Sequence, residues 1–301
     1  HMLVRGISWF TPHAFSMAPF PDWDCPPHFY AHGNNPQWPH FGQLMRYMNR
    51  TATLLSGGSA ARPVAILYHA DAEWAGDAMP IERVAAELTR AQIDFDFVPA
   101  EAFEDEERYE VSIADGTLAV NGCRYQAFLM PGASFIGAAT AKAVGRMTAA
   151  GVMVLSVDEV PDALYDADGA AELSGLAATP LADAAAPLAR AGLQTVVTGT
   201  PQPWLRALRY EHAGETYFML VNEHPRERIA CTVSLPSGER LCGTRLDLLN
   251  GTEPVAFDGV LELAPAESCV VALGASSEIE PADCTDTSTY ATLALDINHP
   301  W

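Results

Sequence analysis

The chain has 301 residues, of which 49% are hydrophobic and 18% charged, and its formal net charge is −21. A chain of this length and composition can bury a sizeable core and is expected to form two or three domains. The acidity argues against nucleic acid and anionic membrane surfaces as partners, because both attract basic patches, but a neutral ligand such as a sugar remains compatible.

Six cysteines are scattered along the chain, and no two of them form a CxxC pair. Cys231 and Cys269 share the phase of apolar runs, which is typical of small buried residues. The sequence carries no zinc signature, no G-x-G-x-x-G motif and no P-loop, so we predict no cofactor. No apolar run is long enough to span a membrane, and the cysteine pattern leaves the compartment open.

Residues 3–60 predict one strand, a long loop and one helix. The run VRGISWF is typical of a strand, and an irregular loop follows from about residue 11 to residue 39. A helix is predicted from Pro39 to the Gly57-Gly58 pair. Its apolar face would comprise Leu44, Met48, Ala52 and Leu55. A strand, loop and helix form one unit of a β/α barrel, which buries too little to be a domain alone.

Residues 62–198 predict an α/β domain. The continuous apolar runs VAILY, AFLMPG and VMVLSV are typical of buried parallel strands. Helices are expected over residues 80–91 and about 137–150, and an Asp-Gly turn predicts a hairpin over residues 111–122. Two further alanine-rich helices are expected over residues 168–193. This alternation predicts a doubly wound parallel sheet.

The hydrophobic period changes to two over residues 204–275. The run LRALRYEHAGETYFMLVNE reads as two strands around an Ala-Gly turn, and later strands are separated by Ser-Gly, Asn-Gly and Asp-Gly pairs. Short strands at this spacing predict a small antiparallel β-sandwich. Residues 276–301 are expected to be a tail or the start of a further β domain.

The first candidate site is the loop over residues 11–40, which combines imidazoles, carboxylates, amides and aromatic rings. Such a loop lines the active site when it follows a barrel strand, and its groups suit the polar rims and flat faces of sugars. The competing interpretation is a proline-rich connector whose rings pack on its own barrel. The candidate sugar-binding residues are His13, Asp22, Asp24, His28, Tyr30, Asn34 and Trp38.

Catalytic and metal-binding interpretations of this loop are weaker. Zinc could be bound by His28, His32 and His40 together with Asp22 or Asp24. The i, i+4 pair His28/His32 would require a helix, which the surrounding prolines and Gly33 disfavour. Asp22 and Asp24 would point to opposite sides of an extended chain, so we do not assign them as a glycosidase carboxylate pair. We therefore assign no catalytic residue and no metal site.

The second candidate is the segment HADAEWAGD, residues 69–77, which follows the VAILY strand. Ligands of open α/β sheets bind beyond the strand C-termini, so Asp71, Glu73 and Trp74 would face such a cleft. The alternative is an ordinary loop whose tryptophan docks on the barrel.

Two possible nucleophiles of the α/β domain do not fit their roles. Cys123 precedes a strand, so it is misplaced for an amidotransferase nucleophile. Ser134 lacks the G-x-S-x-G spacing and is expected to cap a helix.

Several segments occur in an order that resembles a known family. GISWFTPHAFSM, PDWDCPPHFYAHGNNPQW, LMRYMNRTATLLSGG and VAILYHADAEW resemble the barrel end and following domain of large glycoside hydrolases of the α-L-rhamnosidase type. β-Galactosidases with an amidotransferase-like domain are similar in layout. The resemblance implies a barrel-derived strand, loop and helix, then an amidotransferase-like (flavodoxin-like) domain, then a β-sandwich. The segments ETYFMLVNE, LDLLNG and LELAPAESCVVAL resemble the sandwich domain of these glycoside hydrolases.

The resemblance also implies a function. The parent protein would hydrolyse O-glycosyl bonds, with its catalytic carboxylates on earlier barrel strands, and its partner would be a neutral carbohydrate. We expect this chain to be a piece of a longer polypeptide that is inactive alone, with His13 and the loop over residues 22–38 lining the sugar cleft. Residues 3–60 would dock on the α/β domain through Trp38, Tyr47 and Trp74, or in a homo-oligomer. The alternative is a stand-alone carbohydrate-binding or oligomerisation module.

Overall fold

A computed structural model describes residues 1–13, 29–30, 33–173 and 175–273. The candidate residues Asp22, Asp24 and His28, and the predicted tail, lie outside the described residues. The fold combines a five-stranded parallel sheet flanked by helices, a small parallel pair of strands and antiparallel sheets. Within the described ranges, no helix is both long and apolar enough to cross a membrane.

The helices and strands of the described residues follow one another in a mixed order. The α-helices are α1 (Trp38–Leu54), α2 (Ala70–Ala75), α3 (Ile81–Arg90), α4 (Glu101–Glu104), α5 (Ala138–Ala149) and α6 (Ala185–Arg190). The strands up to the middle of the chain are β1 (Ser59–Ala60), β2 (Val64–Tyr68), β3 (Phe95–Pro99), β4 (Ser112–Ala114), β5 (Thr117–Val120), β6 (Cys123–Tyr125), β7 (Ala127–Pro131), β8 (Phe135–Ile136) and β9 (Met153–Val157). The later strands are β10 (Ala163–Leu164), β11 (Ala178–Thr179), β12 (Val197–Thr198), β13 (Leu205–His212), β14 (Glu215–Asn222), β15 (Ile229–Ser234), β16 (Gly243–Leu246), β17 (Val255–Phe257), β18 (Val260–Leu263) and β19 (Ser268–Leu273).

The parallel sheet has the strand order β3-β2-β7-β9-β11. Counted along the chain this order is 2-1-3-4-5, one of the two common orders of doubly wound sheets. Alternate residues of β2 pack in two hydrophobic cores on the two faces of the sheet. Val64 and Ile66 pack with Leu88 of α3 in one core, and Ala65 packs with Met147 of α5 in the other. Because helices cover both faces, nearly every β2 position is buried, which explains the continuous apolar run.

Two antiparallel sheets share a third core. One has six strands in the order β1-β13-β14-β19-β16-β17, and the other has the order β12-β15-β18. The core contains Leu205, Phe218 and Val271 from the first sheet together with Val233 and Leu261 from the second. The two-residue period of these strands places one set of side chains in this core. The predicted antiparallel strands are therefore confirmed, but β14 and β19 are buried on both faces, so their burial does not alternate.

The other face of the six-stranded sheet is covered by the N-terminal segment. Leu3, Val4 and Leu55 are buried in one cluster with Leu208 of β13 and Val270 of β19. Strand β1 pairs with β13 in antiparallel register, which adds this segment to the sheet. The expected docking on the α/β sheet through three aromatic residues is therefore wrong: the apolar face of the antiparallel sheet offers the partner that this segment requires.

Two local predictions within residues 3–60 need correction. The predicted strand VRGISWF begins instead as a 3₁₀ helix, Leu3–Arg5, which ends at Gly6 with φ of +84°. No described strand pairs with residues 7–13, and without a ladder their backbone does not form a strand. Helix α1 is confirmed, but Leu44 is 48% exposed, because the helix turns Thr51 rather than Leu44 toward buried surroundings.

The alanine-rich region over residues 168–193 contains one of the two predicted helices. Helix α6 is present, but the described residues between 168 and 177 form no helix. Gly169 and Gly175 adopt φ of +128° and +88°, values outside the helical region. Strand β11 then pairs with β9 at the edge of the parallel sheet.

The prediction that Ser134 caps a helix is also wrong. Gly137 is the N-cap residue of α5, and Ser134 lies three residues before it.

Candidate functional site

Aromatic rings gather at the start of α1. Tyr30 contacts Trp38 edge to face with ring centroids 5.0 Å apart, and Trp38 stacks on Phe41 at 5.4 Å. Phe29 lies 4.7 Å from Phe41. The structure thus brings Tyr30 and Trp38 of the predicted loop together. Ring faces of this kind suit the C–H faces of sugars.

Polar groups of the same loop lie beside these rings in sequence and are open to solvent. Asn34 is exposed, and Asn35 accepts a hydrogen bond of 2.9 Å from the backbone N–H of Gln37, which orders the turn into α1. His13 is exposed on the irregular segment that follows Gly6. An amide and an imidazole open to solvent can donate to and accept from sugar hydroxyls.

The second candidate segment is a short helix rather than the predicted loop. Asp71, Glu73 and Trp74 belong to α2, which follows β2 at the C-terminal edge of the parallel sheet. The Trp74 ring is 82% exposed, so it does not dock on any described neighbour. Between described residues, no hydrogen bond, ion pair or ring contact joins these three residues to the aromatic cluster of α1.

A buried histidine lies directly behind this helix. His69 is 4% exposed, and its Nε2 lies 3.0 Å from the carbonyl oxygen of Met79, so Nε2 carries the proton and donates. Its Nδ1 is buried without a hydrogen-bond partner. Burial lowers the pKa of His69, and the nearby Glu73 carboxylate opposes this only in part. The imidazole is therefore neutral at pH 7.

The cavity at this edge of the sheet is too small for a sugar. Its volume is about 10 Å³, and it is lined by His69, Phe135, Thr140 and Tyr165 among others. That volume holds about one water molecule. The Tyr165 hydroxyl is buried without a partner, and burial, followed by the charge of Asp71, raises its pKa to about 12. A sugar therefore does not fit inside this cavity, and ligand binding beside Asp71, Glu73 and Trp74 stays a prediction.

Neither candidate nucleophile of the sequence, Cys123 or Ser134, lines this cavity. The lining of the cavity includes no cysteine or serine. Ser134 lies beside it and donates a long hydrogen bond of 3.4 Å to Glu159. Cys123 is exposed in β6, and the other three cysteines of the described ranges lie within or beside the antiparallel sheets. The described residues also form no cluster of three or more metal-ligating side chains.

Sequence reasoning did not single out His69 or Tyr165. His69 has a recognisable signal, since it is the first residue after a continuous apolar strand. Tyr165 has none, because only the folded chain brings it beside Gly137, where an added Cβ would lie 2.6 Å from the tyrosine oxygen. Close packing at this glycine contributes to closing the cavity.

Structures of glycoside hydrolases share this fold at low sequence identity. A rhamnosidase from Novosphingobium sp. PP1Y matches with a TM-score of 0.52 and 16% identity, over 78% of this chain and 24% of that protein. A β-galactosidase from Bacillus circulans sp. alkalophilus matches with a TM-score of 0.56 and 11% identity, over 81% of this chain and 46% of that protein. A GH42 β-galactosidase from G. stearothermophilus matches with a TM-score of 0.53 and 12% identity, over 81% of this chain and 45% of that one.

The chain spans between about a quarter and just under half of the length of these proteins. No family model matches the chain, and neither does any curated protein. At these identities the similarity establishes the fold alone.

Proposed function

We propose that this chain is the part of a glycoside hydrolase that carries the end of its catalytic barrel and the accessory domains behind it. The observation that carries the proposal is the structural match of about four fifths of the chain to one rhamnosidase and to β-galactosidases. The substrate would be a neutral glycoside with rhamnose- or galactose-like chemistry.

Within this proposal the chain divides as its sequence predicts. Residues 3–60 are the barrel-derived unit, residues 62–198 an amidotransferase-like domain, and residues 204–275 a β-sandwich. The 2-1-3-4-5 strand order and the core between two antiparallel sheets support these assignments. The pairing of β1 with β13 implies that the barrel-derived unit unfolds together with the sandwich.

The loop before α1 supplies a grip on the sugar but not the chemistry. Hydrolysis of a glycoside requires two carboxyl groups that flank the scissile bond, one as proton donor and one as nucleophile or base. We place those groups on polypeptide outside this chain. The amidotransferase-like domain would be structural. The small volume of the cavity at its C-terminal edge and the position of Cys123 and Ser134 outside the cavity lining support this role.

Two measurements on the purified chain test the proposal. We expect no hydrolysis of p-nitrophenyl α-rhamnoside or β-galactoside. Calorimetry should detect weak binding of rhamnose or galactose that Trp38→Ala removes, whereas the control Trp9→Ala, which alters an 88% exposed ring outside the cluster, should leave it unchanged.

Turnover that disappears in Asp22→Asn or Asp24→Asn would contradict the placement of the catalytic groups outside the chain. Sugar binding that is unaffected by Trp38→Ala would contradict the role of the loop. A stable oligomer without any sugar binding would favour the stand-alone oligomerisation module.

A further inference from the structure

A large cleft lies between the edge of the parallel sheet and the six-stranded antiparallel sheet. Its volume is about 890 Å³, within the range of roughly 300–1,000 Å³ that is typical of ligand sites. Its walls come from α3, from β3, from residues 4–7 and from the start of β13. It is therefore far larger than the closed cavity beside His69.

Hydrogen bonds tie the walls of this cleft together. Gln92 is 6% exposed, and its Nε2 donates to the carbonyl oxygens of Gln202 at 2.9 Å and Leu205 at 3.1 Å. On another side, Arg62 donates to the carbonyl oxygen of Arg5 at 3.1 Å. These bonds join segments that are distant in sequence, so the cleft is formed before a ligand arrives. Preorganisation of this kind reduces the entropic cost of binding.

Two aromatic side chains of the lining are open to solvent. Trp204 is 46% exposed and Phe97 is 47% exposed. Trp204 is held by an edge-to-face contact with His224, with centroids 5.1 Å apart, and Phe97 is held in the same way by Phe95 at 5.4 Å. Each ring is thus fixed in orientation while part of its surface stays in water. Fixed, half-exposed rings provide stacking surfaces for a ligand with flat apolar faces.

Each described arginine of the cleft has a carboxylate partner. Arg62 contacts Asp96 at 3.1 Å and Asp94 at 3.4 Å. Arg5 and Arg206 share the carboxylate of Glu223, and Arg90 pairs with Glu87. The lining also contains the carboxylate of Glu82, so the charges around the cleft disfavour an anionic ligand. Asp96 is partly exposed and keeps acceptor capacity for hydroxyl donors, besides the bonds from Arg62 and the Tyr125 hydroxyl.

We propose that this cleft is a binding site for a neutral oligosaccharide, which stacks on Trp204 and Phe97 and donates hydroxyl hydrogen bonds to Asp96. The inference depends on the cleft alone and not on the proposed function, which concerns the loop before α1. The two can therefore fail separately.

Calorimetric titration of the full chain tests the site. The neutral probes are β-1,4-galactotetraose, cellotetraose and xylotetraose, and trigalacturonate is the charged comparison. We expect at least one neutral probe to bind with Kd of about 0.1–1 mM, and trigalacturonate to bind more weakly. Trp204→Ala should weaken binding about tenfold or more, as expected for loss of one aromatic contact, while Trp204→Phe should retain most of the affinity.

Matched variants distinguish this site from others. Trp74→Ala removes another exposed tryptophan, on α2 and outside the lining of the cleft, and should leave the affinity unchanged. The indole N–H signal that disappears in Trp204→Ala should shift during titration of the wild-type chain. If Trp38→Ala alone abolishes binding, the loop is the sugar site and the cleft proposal fails, whereas loss in Trp204→Ala alone supports the cleft and contradicts the loop.

Three further results would overturn the proposal. The first is the absence of binding by every neutral probe at about 10 mM, a concentration well above the expected Kd. The second is tighter binding of trigalacturonate than of the neutral probes. The third is a change in molar mass by light scattering in Trp204→Ala without any effect of saccharide, which would identify the cleft as a protein contact.

Discussion

Replacement of Asn222 should destabilise the antiparallel sheets strongly. This residue ends β14 and is fully buried. Its Nδ2 donates to the carbonyl oxygens of Glu227 at 2.8 Å, Leu263 at 3.2 Å and Ala264 at 3.0 Å. Its Oδ1 accepts from the backbone N–H of His224 at 2.9 Å. One amide therefore joins the end of β14, the following turn and the end of β18.

The contacts set the magnitude of the expected loss. Asn222→Ala leaves the buried carbonyl of Leu263 without this partner, which costs about 1–3 kcal/mol of unfolding free energy. The other three contacts are partly buried, so water recovers part of each, and about 0.5 kcal/mol apiece remains. The sum is about 2.5–4.5 kcal/mol. Asn222→Asp should cost more at neutral pH, because a carboxylate has no proton to donate to carbonyl oxygens.

Urea denaturation followed by circular dichroism measures both variants. The matched control is Asn250→Ala, which removes an exposed amide with one bond of 3.0 Å to Asp247 and should change stability by less than about 0.5 kcal/mol. The Asn222→Asp chain should regain stability as the pH falls, because a protonated carboxyl can donate again. A loss below about 1 kcal/mol for Asn222→Ala, or wild-type stability for Asn222→Asp at pH 7, would refute the role of this amide.

Three further predictions concern other parts of the chain. The protein should release no ammonia from glutamine, and release that disappears in Cys123→Ala would contradict the absence of amidotransferase chemistry. Leu55→Ala should cost about 2–4 kcal/mol because the side chain is 2% exposed, whereas Leu44→Ala, at 48% exposure, should cost little; equal effects in urea denaturation would contradict the docking of residues 3–60. Burial raises the pKa of Asp94 to about 6, although the positive charge of Arg62 lowers it in part. The protonated Asp94 carboxyl therefore stabilises the folded state fully below the ordinary pKa of 3.8, and this stabilisation is lost as the pH rises through about 6. Carbon-detected NMR titration should show this pKa and its further rise in Arg62→Ala, and a value near 4 in the wild type would contradict it.

The elements that sequence predicts correctly depend on neighbours along the chain. The run VAILY is buried on both faces, and the Asp115-Gly116 pair turns the β4–β5 hairpin with φ of +48° and +70°. Periodicity and turn chemistry act over a few residues, so they can be recognised without the fold. The aromatic cluster at Trp38 belongs to the same group, because its rings lie close together in sequence.

Local reasoning failed where the partner of a segment is distant. The run VRGISWF has strand propensity, but a strand forms only when another strand offers hydrogen bonds, and no described strand pairs with residues 7–13. Near residue 170, Gly169 and Gly175 adopt positive φ, which is incompatible with a helix there. Phe135 and Tyr165, which line the small cavity beyond β2, are also distant from β2 in sequence, and the ligand site expected there stays a prediction.

By itself, the sequence determined an α/β part followed by antiparallel strands, since strand, helix and turn patterns are local properties. Only the tertiary structure decided which face of which sheet residues 3–60 cover, because every exposed apolar face is an equivalent partner until the sheets are packed. It also decided where an open cleft lies, since Arg62, Asp96 and Trp204 are far apart in sequence and meet only when β3 and β13 flank the same space.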